Sequence, residues 1–373
     1  MVNGSTASSR YNGAFFNAAE TWPWPWTSPI AGRTSPPAAP RKAATKRGRR
    51  LRHGAEHPPP LAHLHGATPP APDWFVQALA ARPERHAIDV QGTAIDTLAW
   101  GPRGAPGLLL MHGNGAHAEW FSFIAPLLAD RYRVAALSFS GMGHSGRREA
   151  YSVAQWADEA LAAAEACGLF ESARPPLYVG HSFGGFPVMN AAARYGDRLA
   201  GAVIVDTPLR PPEGQIEREK RRAEQGFRPA RVYPTIAAAL ARFRFLPPQD
   251  CEHLCIVDHI ARSSLQAATD EHGQAGFTWR TDPLLFKQFS FGKPHRDLGQ
   301  ARCPVTLVRG GRSRLITAEL LAHAVALAPA GTRTMELPDA DHHVMADQPL
   351  GFAAMLAGLM EAGADRAPLA RPG

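Results

Sequence analysis

Residues 177–186 read Leu177-Tyr178-Val179-Gly180-His181-Ser182-Phe183-Gly184-Gly185-Phe186. The apolar opening suits a strand buried on both faces, and the pattern that follows predicts a helix over Phe183 to Arg194. Between them stands G-x-S-x-G. A strand that turns straight into a helix crowds the backbone at Gly180 and Gly184, and the residue between them is held on strained geometry that lifts its hydroxyl out of the turn. Ser182 is therefore the candidate nucleophile. The bare pattern is weak, and a structural turn is the competing reading; the flanking strand and helix weigh against it.

Outward from this turn the same alternation repeats. Leu108-Leu109-Leu110-Met111, Arg133 to Leu137, Ala202-Val203-Ile204-Val205 and Val305-Thr306-Leu307-Val308 are further strand-like runs. Helical patterns cover Glu119 to Asp130, Val153 to Cys167, Thr317 to Leu327 and Gly351 to Met360. Strands alternating with helices predict an α/β fold, a mostly parallel doubly wound sheet with helices on both faces. One interval breaks the rhythm. Residues 208–298, with a charged helical run from Gln215 to Gln225 and several aromatics, are far too long for an ordinary connection and are expected to form an inserted, mainly helical cap. The expected organisation is a disordered tail over 1–70, a first core part over 71–207, the cap over 208–298, a second core part over 299–365 and a short tail over 366–373.

The run Leu108 to Met111 ends in His112-Gly113-Asn114-Gly115, an H-G-x-G loop. Its glycines let backbone amides approach a carbonyl, so the amides of Asn114 and Phe183 are the expected pair of oxyanion donors. With these parts in place the chain resembles the capped, serine-nucleophile members of the α/β-hydrolase fold family, from about Ile88 to Leu359. That group holds esterases, lactonases, cofactor-free haloperoxidase-like enzymes and carbon–carbon bond hydrolases. Ser138-Phe139-Ser140-Gly141-Met142-Gly143-His144-Ser145-Gly146 resembles the family's G-x-G-x-S loop. Such motifs specify a fold far better than a substrate.

The resemblance implies a base near the carboxyl terminus, several residues before a helix-opening proline. In Asp339-Ala340-Asp341-His342-His343, ahead of Pro349, His342 fits that register better than His343. The acid departs from the pattern. Most relatives carry it in a G-x-x-D turn after the strand equivalent to Val305–Val308, but here the turn reads Gly310-Gly311-Arg312-Ser313. Asp206, directly after Ala202–Val205, is the best replacement and keeps the order serine, acid, histidine. A strand-end aspartate that caps Thr207-Pro208, a role for Asp339 or Asp341, and a dyad without an acid remain alternatives. Trp120, Phe121 and Met142 are the expected substrate contacts, and Phe243, Phe245, Phe277, Trp279 and Phe286 of the cap could close the pocket, although each aromatic alone is as well explained as core.

Composition narrows the remaining classes. The chain has 373 residues and a formal net charge of +7. Nine Lys/Arg against Glu20 and Glu56 in residues 1–70 account for all of it, and 11 of the 34 prolines lie there too. The remainder is neutral, so the basic balance describes a tail and gives no reason to expect nucleic acid on the folded body. Trp22-Pro23-Trp24-Pro25-Trp26 and the basic run Arg41 to Arg52 carry no helical or strand period; a polybasic arm and a dispensable extension both fit them. Four cysteines are no disulfide framework, and Cys251 and Cys255 near His253 and His259 lack the further ligands of a structural zinc site. No apolar run is long enough to span a membrane and no secretory signal pattern is present, so a soluble cytoplasmic protein is the expectation. A serine at position 182 disfavours the dehalogenase and epoxide hydrolase chemistry that needs aspartate. The reading is a serine hydrolase acting without cofactor or metal on an ester-like small molecule. A carbon–carbon bond hydrolase of a β-diketone-like substrate and a non-catalytic ligand-binding member of the fold are the alternatives.

Overall fold

The structure, a computed structural model, describes residues 57–210 and 230–362. Its frame is an eight-stranded sheet built from β1 (Glu84–Val90), β2 (Thr93–Trp100), β3 (Gly107–Met111), β4 (Arg133–Leu137), β6 (Leu177–His181), β7 (Gly201–Val205), β11 (Val305–Gly310) and β12 (Arg333–Leu337), in the order β1-β2-β4-β3-β6-β7-β11-β12. β1 and β2 form an antiparallel edge, and every pair from β4 to β12 is parallel. The central strands read as continuous apolar runs because both faces are covered. Leu108 and Leu110 of β3 enter one hydrophobic cluster, while Leu109 and Met111 enter the other. This is the two-residue period of a strand between two helical layers.

One layer holds α2 (Val153–Ala166), α3 (Gly185–Tyr195) and the helix Ala318–Leu327; the other holds α1 (Asp73–Ala80) and the helix Pro349–Ala362. Ser152 and Thr317 cap α2 and the helix Ala318–Leu327 by accepting from the amides of Gln155 and Leu320, which satisfies donors that a first turn leaves open. The helix expected over Glu119 to Asp130 is instead two 3-10 turns, Ala118–Phe121 and Ala125–Leu127. Pro126 has no amide hydrogen to donate and its ring crowds the preceding turn, so a continuous helix cannot run through it.

The segment between β7 and β11 is mixed rather than mainly helical among its described residues. It contains the helices Ile236–Leu240 and Leu254–Ser263, an antiparallel hairpin of β8 (Leu265–Thr269) and β9 (Ala275–Trp279), and β10 (Phe289–Ser290), which pairs in parallel with β5 (Tyr151–Ser152). The helix Leu254–Ser263 buries Ile256, Val257, Ile260 and Ala261 in the same cluster as Trp120, Phe121 and Phe123. The helix Pro294–Gly299 belongs with the core instead of the insertion, because it packs on α3, where Asn190 donates to Asp297 at 2.8 Å. The expected helical run Gln215 to Gln225 lies outside the described residues, as do residues 1–56 and 363–373. Residues 57–70, expected in the tail, contain a 3-10 turn at Ala62–Leu64. Leu61 is 1% exposed within the main cluster, and the carbonyl of Gly66 accepts from Arg262 at 2.8 Å. An apolar side chain with a place in the core draws its neighbours onto the body.

Candidate active site

Ser182 sits at φ 53° between β6 and α3, in the left-handed region that non-glycine residues rarely occupy. The glycines around it allow the turn. A β-carbon on Gly180 would stand 2.2 Å from the carbonyl oxygen of Gly184, and one on Gly184 would stand 2.5 Å from that of His112. Neither backbone atom can move without breaking the strand-to-helix junction. Thr207 secures the turn from the next strand by donating its hydroxyl to the carbonyl of Ser182 at 2.8 Å.

His342 follows β12 in the loop 338–343. Its Nε2 lies 2.8 Å from Ser182 Oγ and its Nδ1 lies 2.7 Å from Asp206 Oδ2. Asp206 is fully buried and His342 is 3% exposed, whereas Ser182 is partly open to solvent. The carboxylate of Asp206 is itself held. Its Oδ1 accepts the amide of Gly310 at 2.9 Å and its Oδ2 accepts the hydroxyl of Ser313 at 2.7 Å. A buried carboxylate needs such donors to remain charged. With the proton of His342 on Nδ1, directed at Asp206, the Nε2 lone pair faces the serine hydroxyl. Asp206, His342 and Ser182 thus form one hydrogen-bonded chain that ends at the only solvent-reachable member of the three.

Three histidines surround this chain, and burial drives each toward the neutral form. His112 is lowered to about 4, while His181 and His343 are held well below the ordinary histidine range by burial and by the neighbouring His342. His343, the competing candidate for the base, is 4% exposed and places its Nδ1 on Gln249 at 2.8 Å. His181 donates from Nε2 to the carbonyl of His342 at 2.8 Å.

The other expected site residues divide. Gly113 lies against the serine, since a β-carbon there would stand 3.1 Å from that of Ser182, so the loop with Asn114 borders the nucleophile. Phe183 follows Ser182 directly, and its ring is buried among Trp156, Phe186, Phe286, Phe289 and Phe291. The expected substrate contacts are all buried. Phe121 and Met142 are each 1% exposed, and Met142 Sδ accepts the amide of Gly115 at 3.2 Å. Trp120 is buried between Phe245 and His343, with ring centroids at 5.8 and 5.7 Å. An aromatic beside a motif reads the same in sequence whether it faces a pocket or the core. Ser313 and Gln249 were missed altogether; the one available signal was that Ser313 stands where the family's late acid would be. Among the described residues no group of His, Cys, Asp and Glu could hold a metal ion, and no helix is long and apolar enough to cross a membrane.

Residues 108–355 match the family model described as the alpha/beta hydrolase family. The chain belongs to that family, and its enzyme class is hydrolase. It is 26% identical to the esterase Rv0045c of Mycobacterium tuberculosis over 278 residues, which cover 73% of this chain and 88% of that protein. It is 25% identical to the magnesium-chelatase 30 kDa subunit of Rhodobacter capsulatus, covering 78% and 97% of the two chains. Among solved structures, a thioesterase domain from the curacin biosynthetic pathway superposes with a TM-score of 0.60 at 23% identity, covering 75% of this chain and 99% of that one. At that identity the structural likeness speaks for the fold alone.

Proposed function

We propose that the protein is a cofactor-independent serine hydrolase that cleaves a carboxylic ester, thioester or lactone through an acyl-enzyme on Ser182. The hydrogen-bonded chain from Asp206 through His342 to Ser182 carries this reading. His342 Nε2 takes the hydroxyl proton as Ser182 Oγ bonds to the substrate carbonyl carbon, and Asp206 stabilises the imidazolium that forms. The proton passes to the departing alcohol or thiol as its bond to carbon breaks, leaving the acyl group on Ser182. Water then repeats the sequence, with His342 as base and Ser182 as leaving group. The backbone amides of Asn114 and Phe183 are the proposed oxyanion donors, by their places beside Gly113 and Ser182; one such donor contributes roughly 3 kcal/mol to the transition state. The insertion is the proposed cap of this site.

A ligand-binding member of the fold without turnover is the competing reading, and what favours it is that the turn Gly310-Gly311-Arg312-Ser313 carries no acid. Full alignment of hydroxyl, imidazole and carboxylate supports turnover, since a binding protein has no need of it. Hydrolysis of a panel of p-nitrophenyl esters, thioesters and lactones graded by acyl length separates the two. Wild type is expected to turn over at least one class, and Ser182→Ala and His342→Ala are expected to lower kcat by at least about a thousandfold with folding unchanged. Equal rates in wild type and Ser182→Ala would refute the proposal.

A further inference from the structure

Gln249 stands in the inserted segment, yet its polar atoms are engaged with the loop that carries His342. Only 8% exposed, it accepts at Oε1 from the backbone amide of His343 at 2.8 Å and from that residue's ring Nδ1 at 2.8 Å. Its Nε2 lies 3.0 Å from each carboxylate oxygen of Asp347. Asp347 Oδ2 also accepts the amide of Asp341 at 2.7 Å. Gln249 therefore ties positions 343 and 347 together, and Asp347 extends the brace to position 341. His342 is the residue between the braced positions, and its own carbonyl accepts from His181 at 2.8 Å. A second contact comes from the same segment, where the ring of Phe245 stacks on His343 at 4.5 Å between centroids.

The hydrogen-bond roles follow from the partners. Gln249 Oε1 must accept, because the His343 amide can only donate, so the His343 ring carries its proton on Nδ1 and the Gln249 amide nitrogen faces Asp347. Replacing Gln249 by an apolar residue leaves two donors of His343 and most of the Asp347 carboxylate unpaired in a buried place. The loop would relieve this by moving, and His342 would move with it.

From these contacts we infer that Gln249 is a positioning residue for His342, through which the inserted segment keeps the base in line with Ser182. The inference rests on the proposed serine-hydrolase reading. With Gln249 in place the loop holds His342 Nε2 2.8 Å from Ser182 Oγ; without it the loop relaxes and the base loses its register. A displacement of about 1 Å at a reacting group costs up to about a hundredfold in rate.

The test measures fluorophosphonate labelling rates and p-nitrophenyl butyrate kinetics on the full chain. Gln249→Ala is expected to lower both the labelling rate and kcat by roughly 10- to 100-fold while KM stays within about twofold, because the base is displaced and the binding surface is not. Gln249→Glu supplies a readout that simple loss of packing would not. Its carboxylate keeps the acceptor for His343 but faces Asp347, and two carboxyl groups at that distance are tolerated only while they share a proton. Its kcat, taken as a ratio to wild type, is expected to be near one at pH 5 and to fall as pH rises to 8. Should Gln249→Ala fail to fold, that ratio decides alone. Wild-type labelling at Ser182 with an unchanged rate in Gln249→Ala, or a ratio for Gln249→Glu that is flat with pH, overturns this inference and leaves the hydrolase reading standing. A wild-type protein that is not labelled overturns both.

Discussion

Asp206 occupies φ 49° at the end of β7, a left-handed conformation that an aspartate tolerates better than most residues and that helps set its carboxylate toward His342. Its oxygens meet donors from β11 and the following turn, so the acid is anchored by the very loop that lacks a carboxylate of its own. Asp206→Asn preserves shape but presents an amide to His342 Nδ1, which favours the wrong tautomer. It is expected to reduce kcat for a p-nitrophenyl ester by roughly a hundred- to ten-thousandfold with an unchanged melting profile. Ser313→Ala removes only one of the donors and is expected to cost about tenfold in kcat, in keeping with a hydrogen bond to a charged group. Equal, small effects of both substitutions in the same assay would place the acid elsewhere. Ser182 and His342 were legible because each stands in a motif whose spacing is dictated by a backbone turn. Asp206 is legible only through the resemblance, because it follows a core strand and keeps the order serine, acid, histidine. Ser313 and Gln249 could not be read, because a hydrogen bond between residues 107 or 94 positions apart leaves no period or spacing in the chain.

At the scale of elements, the strands were legible and the loops were not. A strand buried on both faces announces itself as an unbroken apolar run, and all five such runs became parallel strands of the sheet. The antiparallel edge β1 and the hairpin β8–β9 are partly exposed and mixed in composition, so no comparable signal marked them. The turn around Ser182 gives a sharp contrast among glycines. Gly180→Ala places a methyl group 2.2 Å from a backbone oxygen and is expected to destabilise the fold by several kcal/mol and abolish activity. Gly358→Ala lies on the exposed side of the helix Pro349–Ala362, with nothing within 4 Å of the added carbon. It is expected to stabilise by up to about 1 kcal/mol, through helix propensity and a less flexible unfolded chain. Urea unfolding of the two variants checks both signs.

For the whole molecule, charge and burial set how it responds to its surroundings. The nine Lys/Arg of the first 70 residues all precede residue 57 and so lie outside the described structure. Deleting residues 1–56 is expected to leave ester hydrolysis intact and to remove most salt-sensitive adhesion to heparin, whereas deletion through residue 70 would strip Leu61 from the core. Stability should depend on pH through the buried histidines. His112, His117, His181 and His343 are all pushed down by burial, so they stay neutral in the folded chain while the unfolded chain takes up their protons below about 6.5. Their stability contribution is full above pH 6.5 and is lost as pH falls toward 4. Asp347 opposes this, since burial raises it to about 6 and its proton is released on unfolding between about 6 and 4. Uptake by the histidines outweighs this release, so the folded chain is expected to lose stability as pH falls from 7 to 5, and calorimetry over that range should find the decline.

The proposed chemistry depends throughout on activation of Ser182 as a nucleophile by His342 and Asp206. Mass spectrometry of the full chain after fluorophosphonate treatment tests it without knowledge of the natural substrate. A single adduct is expected, mapped to the peptide containing Ser182, formed rapidly in wild type, far more slowly in Asp206→Asn and His342→Ala, and not at all in Ser182→Ala. An adduct on another residue, or the same labelling rate in His342→Ala as in wild type, would contradict it.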